Sequence, residues 1–227
     1  MNRGKFIVFE GIDSCGKSTQ IKLLKDHFSG TNYPVEFTME PSNGPIGRLI
    51  RRLYLSGKRK DNGGITNKLC EVDRIDHILN ENNGILKLLK NGNHVFCDRY
   101  FLSTIAYTLY NKLDLNDQMF SQKVIEIFNR FIDNQGVKPD LIVFIQINPK
   151  IAIDRISKRN KKISIFEDNI AKLQKIDKSY NKTISVLNKN NLCNIISVNG
   201  EDTKYHVLDD ILSWIYPILD ENKEKRK

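Results

Sequence analysis

A glycine-rich motif near the start of the chain sets the strongest limit on its fold. Residues 11–18, GIDSCGKS, match the pattern G-x-x-x-x-G-K-S/T. The apolar run at residues 5–10 precedes the motif, and a helical pattern with Ile21, Leu24 and Phe28 on one face follows it. A strand, a glycine loop and a helix in this order bind phosphate, because the N–H groups of the loop and the positive end of the helix dipole converge. The motif therefore predicts nucleotide binding.

The residue types in this motif have separate tasks in phosphate binding. Lys17 is expected to hold β- and γ-phosphate oxygens of ATP, and Ser18 is expected to offer its hydroxyl to Mg²⁺. The other residues predicted to contact ATP are Gly11, Asp13, Ser14, Cys15, Gly16 and Thr19. Mg²⁺ is thus the expected cofactor, with ATP as the phosphate donor. A turn that binds nothing is the alternative, and the flanking strand and helix disfavour it.

Strand-like and helix-like segments alternate along the rest of the chain. Strands are predicted at residues 5–10, 34–39, 94–98, 141–147 and 194–198. Helices are predicted at residues 17–28, 46–55 and 66–90, in two stretches before residue 134, after residue 149, through the 170s and 180s, and at 203–216. This order predicts an α/β protein with the P-loop NTPase fold, in which a parallel five-stranded sheet has helices on both faces and a short lid.

Neither an internal repeat nor a linker interrupts this pattern. A single domain is therefore predicted over residues 1–218, with the lid at about residues 155–168. Residues 219–227 are rich in lysine and glutamate, and they are expected to form a disordered basic tail.

Composition limits the classes of function that remain. The 227 residues carry a formal charge of +9, which fits either a solvated basic surface or a polyanion partner such as a nucleotide. Cys15, Cys70, Cys97 and Cys193 lack metal-ligand spacing and are expected to be reduced thiols. No apolar run reaches the length of a bilayer span, and the first apolar run is too short for a signal peptide. A cytoplasmic location is expected, with the nucleus as an alternative.

The end of the third predicted strand separates a kinase from a GTPase. Asp98 is the last residue of this strand, and Arg99 follows it. The carboxyl ends of parallel strands face the ligand crevice. Both residues should therefore lie beside the phosphate loop, although a surface ion pair is the simpler alternative. A GTPase would need a D-x-x-G sequence after a strand and an N-K-x-D sequence that reads the base. Neither occurs where this fold needs it, so the pattern favours a small kinase.

A second group of cations falls in the predicted lid: Arg155, Lys158, Arg159, Lys161 and Lys162. Such a lid closes over phosphates and excludes water. An acceptor phosphate oxygen is already anionic and needs no general base, so catalysis reduces to alignment and charge neutralisation. The candidate catalytic residues are Lys17, Asp98, Arg99, Arg155 and Arg159.

The ordered set of motifs resembles the thymidylate kinase family over nearly the whole chain. The matching stretches are KFIVFEGIDSCGKSTQ at residues 5–20, Glu40-Pro41, EVDRIDH at 71–77, DRYFLSTIAY at 98–107, KPDL at 138–141 and Phe166-Glu167. The phosphate loop alone is shared widely, but the complete order is specific. The resemblance implies a kinase that transfers the γ-phosphate of ATP to dTMP, giving dTDP and ADP for dTTP biosynthesis.

The resemblance also implies roles for single residues. Arg99 would bind the acceptor phosphate, and Asp98 would act near that phosphate and Mg²⁺. Arg74 would hydrogen-bond the thymine edge, and Tyr107 would pack under the deoxyribose and disfavour a 2′-hydroxyl. The acceptor site implied by the resemblance further includes Asp13, Glu40, Pro41, Cys70, Ser103, Phe166 and Glu167, with Ser103 in the base pocket. The family is usually a homodimer built through helices, and the same is expected here.

Four positions depart from the family's pattern. An aromatic residue that stacks on thymine is common one helical turn before the base-reading arginine, and Cys70 stands there, on the same helix face as Arg74. Losing that ring removes a stacking surface worth about 1–3 kcal/mol. Met39, Ser14 and Ile165 stand where arginines are common, so the catalytic charge is expected from the lid cations named above.

Three alternatives remain open at this point. Cys70 leaves room for a kinase that acts on another deoxynucleoside monophosphate, such as dUMP or dGMP. The second alternative is a nucleoside kinase. It would need a carboxylate base that deprotonates a sugar 5′-hydroxyl, a role that Glu40 could fill. The basic charge leaves room for a nucleic-acid-binding P-loop protein, but no basic stripe with interleaved aromatic residues occurs outside the lid. Neither a stable nucleic-acid partner nor a membrane partner is therefore expected.

Overall fold

The computed structural model of the chain describes residues 3–58, 64–134, 136–158 and 170–224, with side chains up to residue 221. Within these ranges five strands form a single sheet with the order β2-β3-β1-β4-β5. The strands are β1 (Phe6–Glu10), β2 (Val35–Met39), β3 (His94–Asp98), β4 (Leu141–Gln146) and β5 (Ile195–Asn199). Every pairing is parallel. The predicted five-stranded parallel sheet is confirmed.

The apolar runs of the sequence explain which strands lie in the centre of the sheet. All five residues of β1 are buried, as are the first five of β4. β1 lies between β3 and β4, and Val8 pairs with Cys97 on one side and with Ile142 on the other. A strand that is covered on both faces needs apolar side chains at successive positions, and this produces the continuous runs seen in the sequence.

Helices pack around the sheet. The described helices are α1 (Lys17–Ser29), α2 (Pro45–Ile50), α3 (Ile65–Leu79), α4 (Ile85–Lys90), α5 (Phe101–Leu109), α6 (Asp117–Asp133), α7 (Pro149–Ser157), α8 (Ile170–Lys189) and α9 (Lys204–Glu224). α1 packs against α9, whereas α5, α6, α7 and α8 pack through mutual contacts. This arrangement agrees with the predicted P-loop NTPase fold. None of the described helices combines the length and the apolar character that a membrane crossing needs.

The prediction of one long helix over residues 66–90 is wrong. α3 ends at Leu79 and α4 begins at Ile85. The side chain of Asn80 accepts hydrogen bonds from the N–H groups of Asn82 (3.0 Å) and Asn83 (3.4 Å). Asparagine competes in this way with the helical backbone pattern, because its side chain offers the backbone a local alternative.

Two further boundaries differ from the prediction. The segment predicted as a helix at 46–55 consists of α2 and a π-helical segment, Arg51–Leu55. The last helix runs to Glu224, so residues 219–224 are helical and do not belong to a disordered tail. Residues 225–227 lie outside the described residues, as does most of the predicted lid. The single-domain division therefore stays a prediction.

Candidate active site

The carboxyl ends of the strands place the functional loops along one edge of the sheet. Gly11 follows β1, Glu40 follows β2 and Arg99 follows β3. On the other side of β1, Ile147 follows β4 and Gly200 follows β5. Ligand sites of open parallel sheets form at this edge, because the loops there can vary without disturbing the core. The predicted site residues on the loops after β1, β2 and β3 are thereby brought to one edge.

The phosphate loop has the backbone conformation that its glycines predict. Gly11 and Gly16 have φ values of 145° and 114°, which side chains with a Cβ rarely adopt. A Cβ on Gly11 would also lie 2.6 Å from the carbonyl oxygen of Ile145. The buried ammonium of Lys17 donates to the carbonyl oxygens of Gly11 and Ile12, both at 2.9 Å. Lys17 therefore lies inside the loop, where a phosphate chain would meet it.

A cleft of about 180 Å³ opens on the outer side of the phosphate loop, the side that faces Gly200 after β5. Its lining residues are Ser14, Cys15, Gly16, Thr19, Gln20, Arg155, Gly200, Asp202, Lys204 and Val207. Arg155 of α7 reaches across it and donates to the carbonyl oxygens of Cys15 (3.2 Å) and Gly200 (2.9 Å). This guanidinium connects the phosphate loop to the loop after β5.

A larger cleft, of about 310 Å³, opens on the inner side of the loop, the side that faces Glu40 after β2 and Arg99 after β3. It is lined by Asp13, Glu40, Pro41, Leu55, Thr66, Asn67, Cys70, Asp73, Arg74, Arg99, Tyr100, Ser103, Thr104 and Tyr107. Eight of the ten residues that the sequence assigns to the acceptor site are in this set. The other two, Phe166 and Glu167, lie outside the described residues, together with the lid residues Arg159, Lys161, Lys162 and Ile165.

Arg99 links the larger cleft to the phosphate loop. Its Nη2 forms an ion pair with Asp13 of the loop, and its Nη1 donates to the carbonyl oxygen of Gly11 at 3.2 Å. Tyr107 donates its hydroxyl proton to the other oxygen of Asp13 at 3.1 Å. Burial, together with the Asp13 carboxylate, raises the pKa of Tyr107, so this hydroxyl stays a donor. The cleft end nearest the loop therefore combines one fixed cation with an oriented carboxylate.

The opposite end of the cleft contains a buried ion pair. Arg74 donates from Nε to Glu40 at 2.7 Å and from Nη2 to the hydroxyl of Thr104 at 2.9 Å. Burial lowers the pKa of Arg74, but the Glu40 carboxylate together with Tyr100 and Cys70 has the greater effect, so the pKa of the guanidinium is raised. His77 lies 3.4 Å from the second oxygen of Glu40. The Nε proton and one Nη2 proton of Arg74 are used in the hydrogen bonds to Glu40 and Thr104. The other N–H groups of the guanidinium can donate to a ligand.

Asp73 fixes the loop that carries Glu40. It is buried, and its two carboxylate oxygens accept from the backbone N–H and from the hydroxyl of Ser42, each at 2.6 Å. The loop after β2 is thereby attached to α3. Sequence reasoning assigned Arg74 to the site but missed the adjacent Asp73.

The residues predicted for Mg²⁺ fit a magnesium ion. The Oδ1 atom of Asp98 is buried, and it has no hydrogen-bond partner within the described part of the chain. The hydroxyl of Ser18 is exposed on the first turn of α1. Where a protein binds Mg²⁺ together with nucleotide phosphates, the ion usually takes one or two protein oxygens and completes its coordination with phosphates and water. A free carboxylate oxygen at the end of β3 and a hydroxyl beside the phosphate loop meet this requirement.

Comparison with known proteins identifies the family to which this arrangement belongs. The family model for thymidylate kinase matches residues 9–207. The chain belongs to the thymidylate kinase family. A probable thymidylate kinase of Thermococcus kodakarensis is 38% identical over 185 residues, covering 78% of this chain and 82% of that relative. A thymidylate kinase of Caldicellulosiruptor saccharolyticus is 28% identical over 224 residues, covering 99% of this chain and 100% of the relative.

The thymidylate kinase match confirms the resemblance and the predicted enzyme class, a phosphotransferase that acts on a nucleoside monophosphate. A third relative, a thymidylate kinase of Leptospira borgpetersenii, is 34% identical over 185 residues, covering 79% of this chain and 80% of that relative. The roles of single residues are not decided by these matches, and they stay predictions.

The structure adds cleft residues that sequence reasoning missed in this chain. In the larger cleft these are Leu55, Thr66, Asn67, Asp73, Tyr100 and Thr104, and in the smaller cleft they are Gln20, Gly200, Asp202 and Lys204. Glu10 and Tyr180 lie behind Arg99 and were also missed. Glu10 could have been identified from the sequence, because a charged residue at the end of an otherwise apolar strand is rarely buried unless it is paired or hydrogen-bonded. Tyr180 could not, since a tyrosine in a helical pattern is typical of core packing.

Proposed function

We propose that this chain is a dTMP kinase that transfers the γ-phosphate of Mg-ATP to dTMP. The observation that carries the proposal is the position of Arg99, which contacts the phosphate loop and lines the larger cleft. A donor phosphate held by the loop and an acceptor phosphate held by Arg99 would meet at this residue. Transfer between two bound phosphates needs such proximity more than it needs a base.

In this proposal the chain's own residues align the reactants and neutralise charge. Lys17 binds donor phosphate oxygens, and Arg99 binds the acceptor phosphate. Asp98 and Ser18 would hold Mg²⁺, which supplies charge neutralisation on the phosphates when it is bound. The acceptor oxygen is already anionic, so no side chain has to remove a proton from it. Glu40 is committed to Arg74 by a 2.7 Å ion pair, which disfavours its use as the base of a nucleoside kinase.

The far end of the larger cleft is assigned to the base. Within the described part of the chain, Arg74 has N–H groups that are not used in the hydrogen bonds to Glu40 and Thr104. These groups suit the O4 acceptor of thymine better than the amino group of cytosine. Tyr107 contacts Asp13 and lies beside Arg99, and these contacts support the assignment of its ring to the sugar between phosphate and base. Cys70 lines the base end without offering an aromatic face. A kinase for dUMP or dGMP remains the second candidate because of this residue.

Arg155 is assigned to ATP on the outer side of the loop. Its hydrogen bonds go to backbone carbonyls of the phosphate loop and of Gly200. This position supports binding of the donor nucleotide. A catalytic role for Arg155 stays a prediction, as does that of Arg159, which lies outside the described residues.

We also propose that the enzyme is a homodimer that uses α3. Among the described residues, α3 leaves four apolar side chains exposed to solvent: Ile65, Val72, Ile75 and Leu79. Val72, Ile75 and Leu79 follow helical spacing along one stripe, and such a stripe normally faces another element. A second copy of the chain would cover it. The predicted cytoplasmic location is retained as part of this proposal.

The test of the proposed function is a coupled ADP-release assay with Mg-ATP against dTMP, dUMP, dGMP, dCMP and UMP. We expect a clear preference for dTMP, and weak activity with UMP because of the 2′-hydroxyl. Lys17→Ala is the matched inactive control, since it removes the donor-phosphate cation. A preference for dUMP or dGMP would preserve the kinase mechanism and overturn the choice of base. Folded protein that binds ATP but turns over none of these acceptors would contradict the proposal.

A further inference from the structure

A fully buried carboxylate lies directly before the phosphate loop. Glu10 is the last residue of β1, and none of its surface is exposed. Its Oε1 accepts from the backbone N–H groups of Tyr100 (2.8 Å) and Ser103 (3.0 Å). Its Oε2 accepts from the hydroxyl groups of Ser103 (2.6 Å) and Tyr180 (3.1 Å). Glu10 is therefore fully hydrogen-bonded by α5 and α8 and is closed off from any substrate.

The two hydroxyl groups on Glu10 also contact Arg99. The Nη1 of Arg99 donates to Ser103 Oγ at 3.1 Å and to the Tyr180 hydroxyl oxygen at 3.2 Å. Ser103 and Tyr180 are themselves 2.8 Å apart. A hydroxyl has one proton, and an ionised carboxylate can only accept. The two hydroxyl protons can therefore serve only two of the three contacts among Glu10, Ser103 and Tyr180. When both protons are donated to Glu10, lone pairs of both hydroxyls face the guanidinium of Arg99.

The charge of Glu10 works against the stability of the fold. Burial raises the pKa of Glu10, and the charge of Arg99 only partly opposes this effect. A folded-state pKa above the unfolded value means that the ionised form is less favourable in the folded protein. Its ionisation therefore lowers stability at neutral pH. A buried carboxylate that costs stability and orients a cation at the active site is better explained by the site than by the fold.

We propose that Glu10 is a positioning residue that fixes, through the hydroxyl groups of Ser103 and Tyr180, the direction in which Arg99 meets the acceptor phosphate. The inference rests on the proposed function only in taking the acceptor phosphate as the ligand of Arg99. Because Tyr180 belongs to α8, the arginine after β3 is braced by a helix much further along the chain. Ser103, assigned from the sequence to the base pocket, lines the larger cleft but commits its hydroxyl to this network.

The experiment compares binding of dTMP with binding of thymidine, which lacks the phosphate. Calorimetry and steady-state kinetics are measured for wild type, Glu10→Gln and Tyr180→Phe. Glu10→Gln keeps the shape of the side chain and removes its charge. We expect about tenfold or greater weakening of dTMP binding, as for loss of a hydrogen bond to a charged group. Thymidine affinity and KM for ATP should stay unchanged.

Tyr180→Phe is the second variant, and it should weaken dTMP binding by a smaller factor than Glu10→Gln. Ser179→Ala is the matched control. Ser179 is equally buried on the same helix, but its hydroxyl donates to the carbonyl oxygen of Ala106 at 2.9 Å and has no contact with Arg99. This variant should bind dTMP like wild type. Equal loss of dTMP and thymidine binding in Glu10→Gln would show a merely structural role and overturn the inference.

A double-mutant cycle with Arg99→Ala separates positioning from other effects. If Glu10 acts through Arg99, adding Glu10→Gln to Arg99→Ala should cause no further loss of dTMP binding. Full additivity of the two losses would contradict the inference. If wild type prefers another monophosphate, the same comparison is made with that monophosphate and its nucleoside. The choice of dTMP and the role of Glu10 can then fail separately.

Discussion

In the proposed function, the side chain at position 70 determines which surface the base of the acceptor meets. The larger cleft is lined by two tyrosine rings, but each ring already packs against the guanidinium of an arginine. Arg74 lies 5.2 Å from the centroid of the Tyr100 ring, and Arg99 lies 5.7 Å from that of Tyr107. One face of each ring is therefore committed to a cation–π contact. The base must be held mainly by its edge and by aliphatic contacts such as Leu55.

Cys70→Phe is expected to improve binding of the acceptor. A phenyl ring at this half-buried position on the cleft wall would give the base a stacking surface worth about 1–3 kcal/mol, a decrease in KM for dTMP of about tenfold. The kinetics of dTMP phosphorylation at saturating Mg-ATP measure this change. Cys70→Ala is the control, because it removes the thiol without adding a ring, and its KM should stay near that of wild type. An unchanged KM in folded Cys70→Phe would show that residue 70 does not face the base.

At the scale of elements, α3 presents one face to the larger cleft and another to solvent. Cys70 and Arg74 line the larger cleft, whereas Val72, Ile75 and Leu79 lie on the exposed stripe. The break after α3 lets α4 turn towards β3, which it contacts. A continuous helix over residues 66–90 would extend past the sheet. The break is therefore part of the geometry that holds the base-facing wall of the cleft.

Gly84→Ala is expected to destabilise the protein through this break. The added Cβ would lie 2.4 Å from the carbonyl oxygen and 2.7 Å from the amide nitrogen of Asn80, and backbone atoms cannot move aside easily. Overpacking of this kind costs about 1–3 kcal/mol. Gly30→Ala is the matched control, since a Cβ there meets nothing within 4 Å and its φ is −96°. Chemical denaturation of both variants measures the difference. Equal stability of the two would mean that the break tolerates a side chain.

At the scale of the whole molecule, the sequence predicted what depends on local pattern. The strands were found because a parallel sheet covered on both faces requires apolar residues in succession, as in β1 and β4. The phosphate loop was found because its spacing and flanking elements are specific. The eight described residues predicted for the acceptor site line one cleft, and they were predicted from their order along the chain. The break between α3 and α4 was missed, although its asparagines and glycine weaken the helical pattern.

The parts that were missed depend on contacts between distant residues. Tyr180 looks like a core tyrosine until the fold brings its hydroxyl to Arg99, 81 residues away in the sequence. Asp73 becomes a loop anchor only when Ser42 is beside it. The length of α9 was underestimated because the polar composition at 219–224 resembles a tail, whereas Lys5 and Tyr33 hold that helix end through Glu221 and Asp220. Periodicity and spacing carry no information about such pairs.

The exposed stripe of α3 leads to a prediction about the assembled molecule. Val72 is 51% exposed, and Ile75 and Leu79 beside it are also exposed, so the proposed homodimer should bury all three. Wild type is expected to sediment at twice its chain mass of 26.3 kDa. Val72→Glu should shift the protein to the monomer, because an unpaired carboxylate would be buried in the interface. Trp214→Glu is the matched control: Trp214 is 48% exposed on α9, away from the stripe, and its change should leave the dimer intact. Wild type that sediments as a monomer, or dissociation caused equally by both variants, would exclude α3 as the dimer surface.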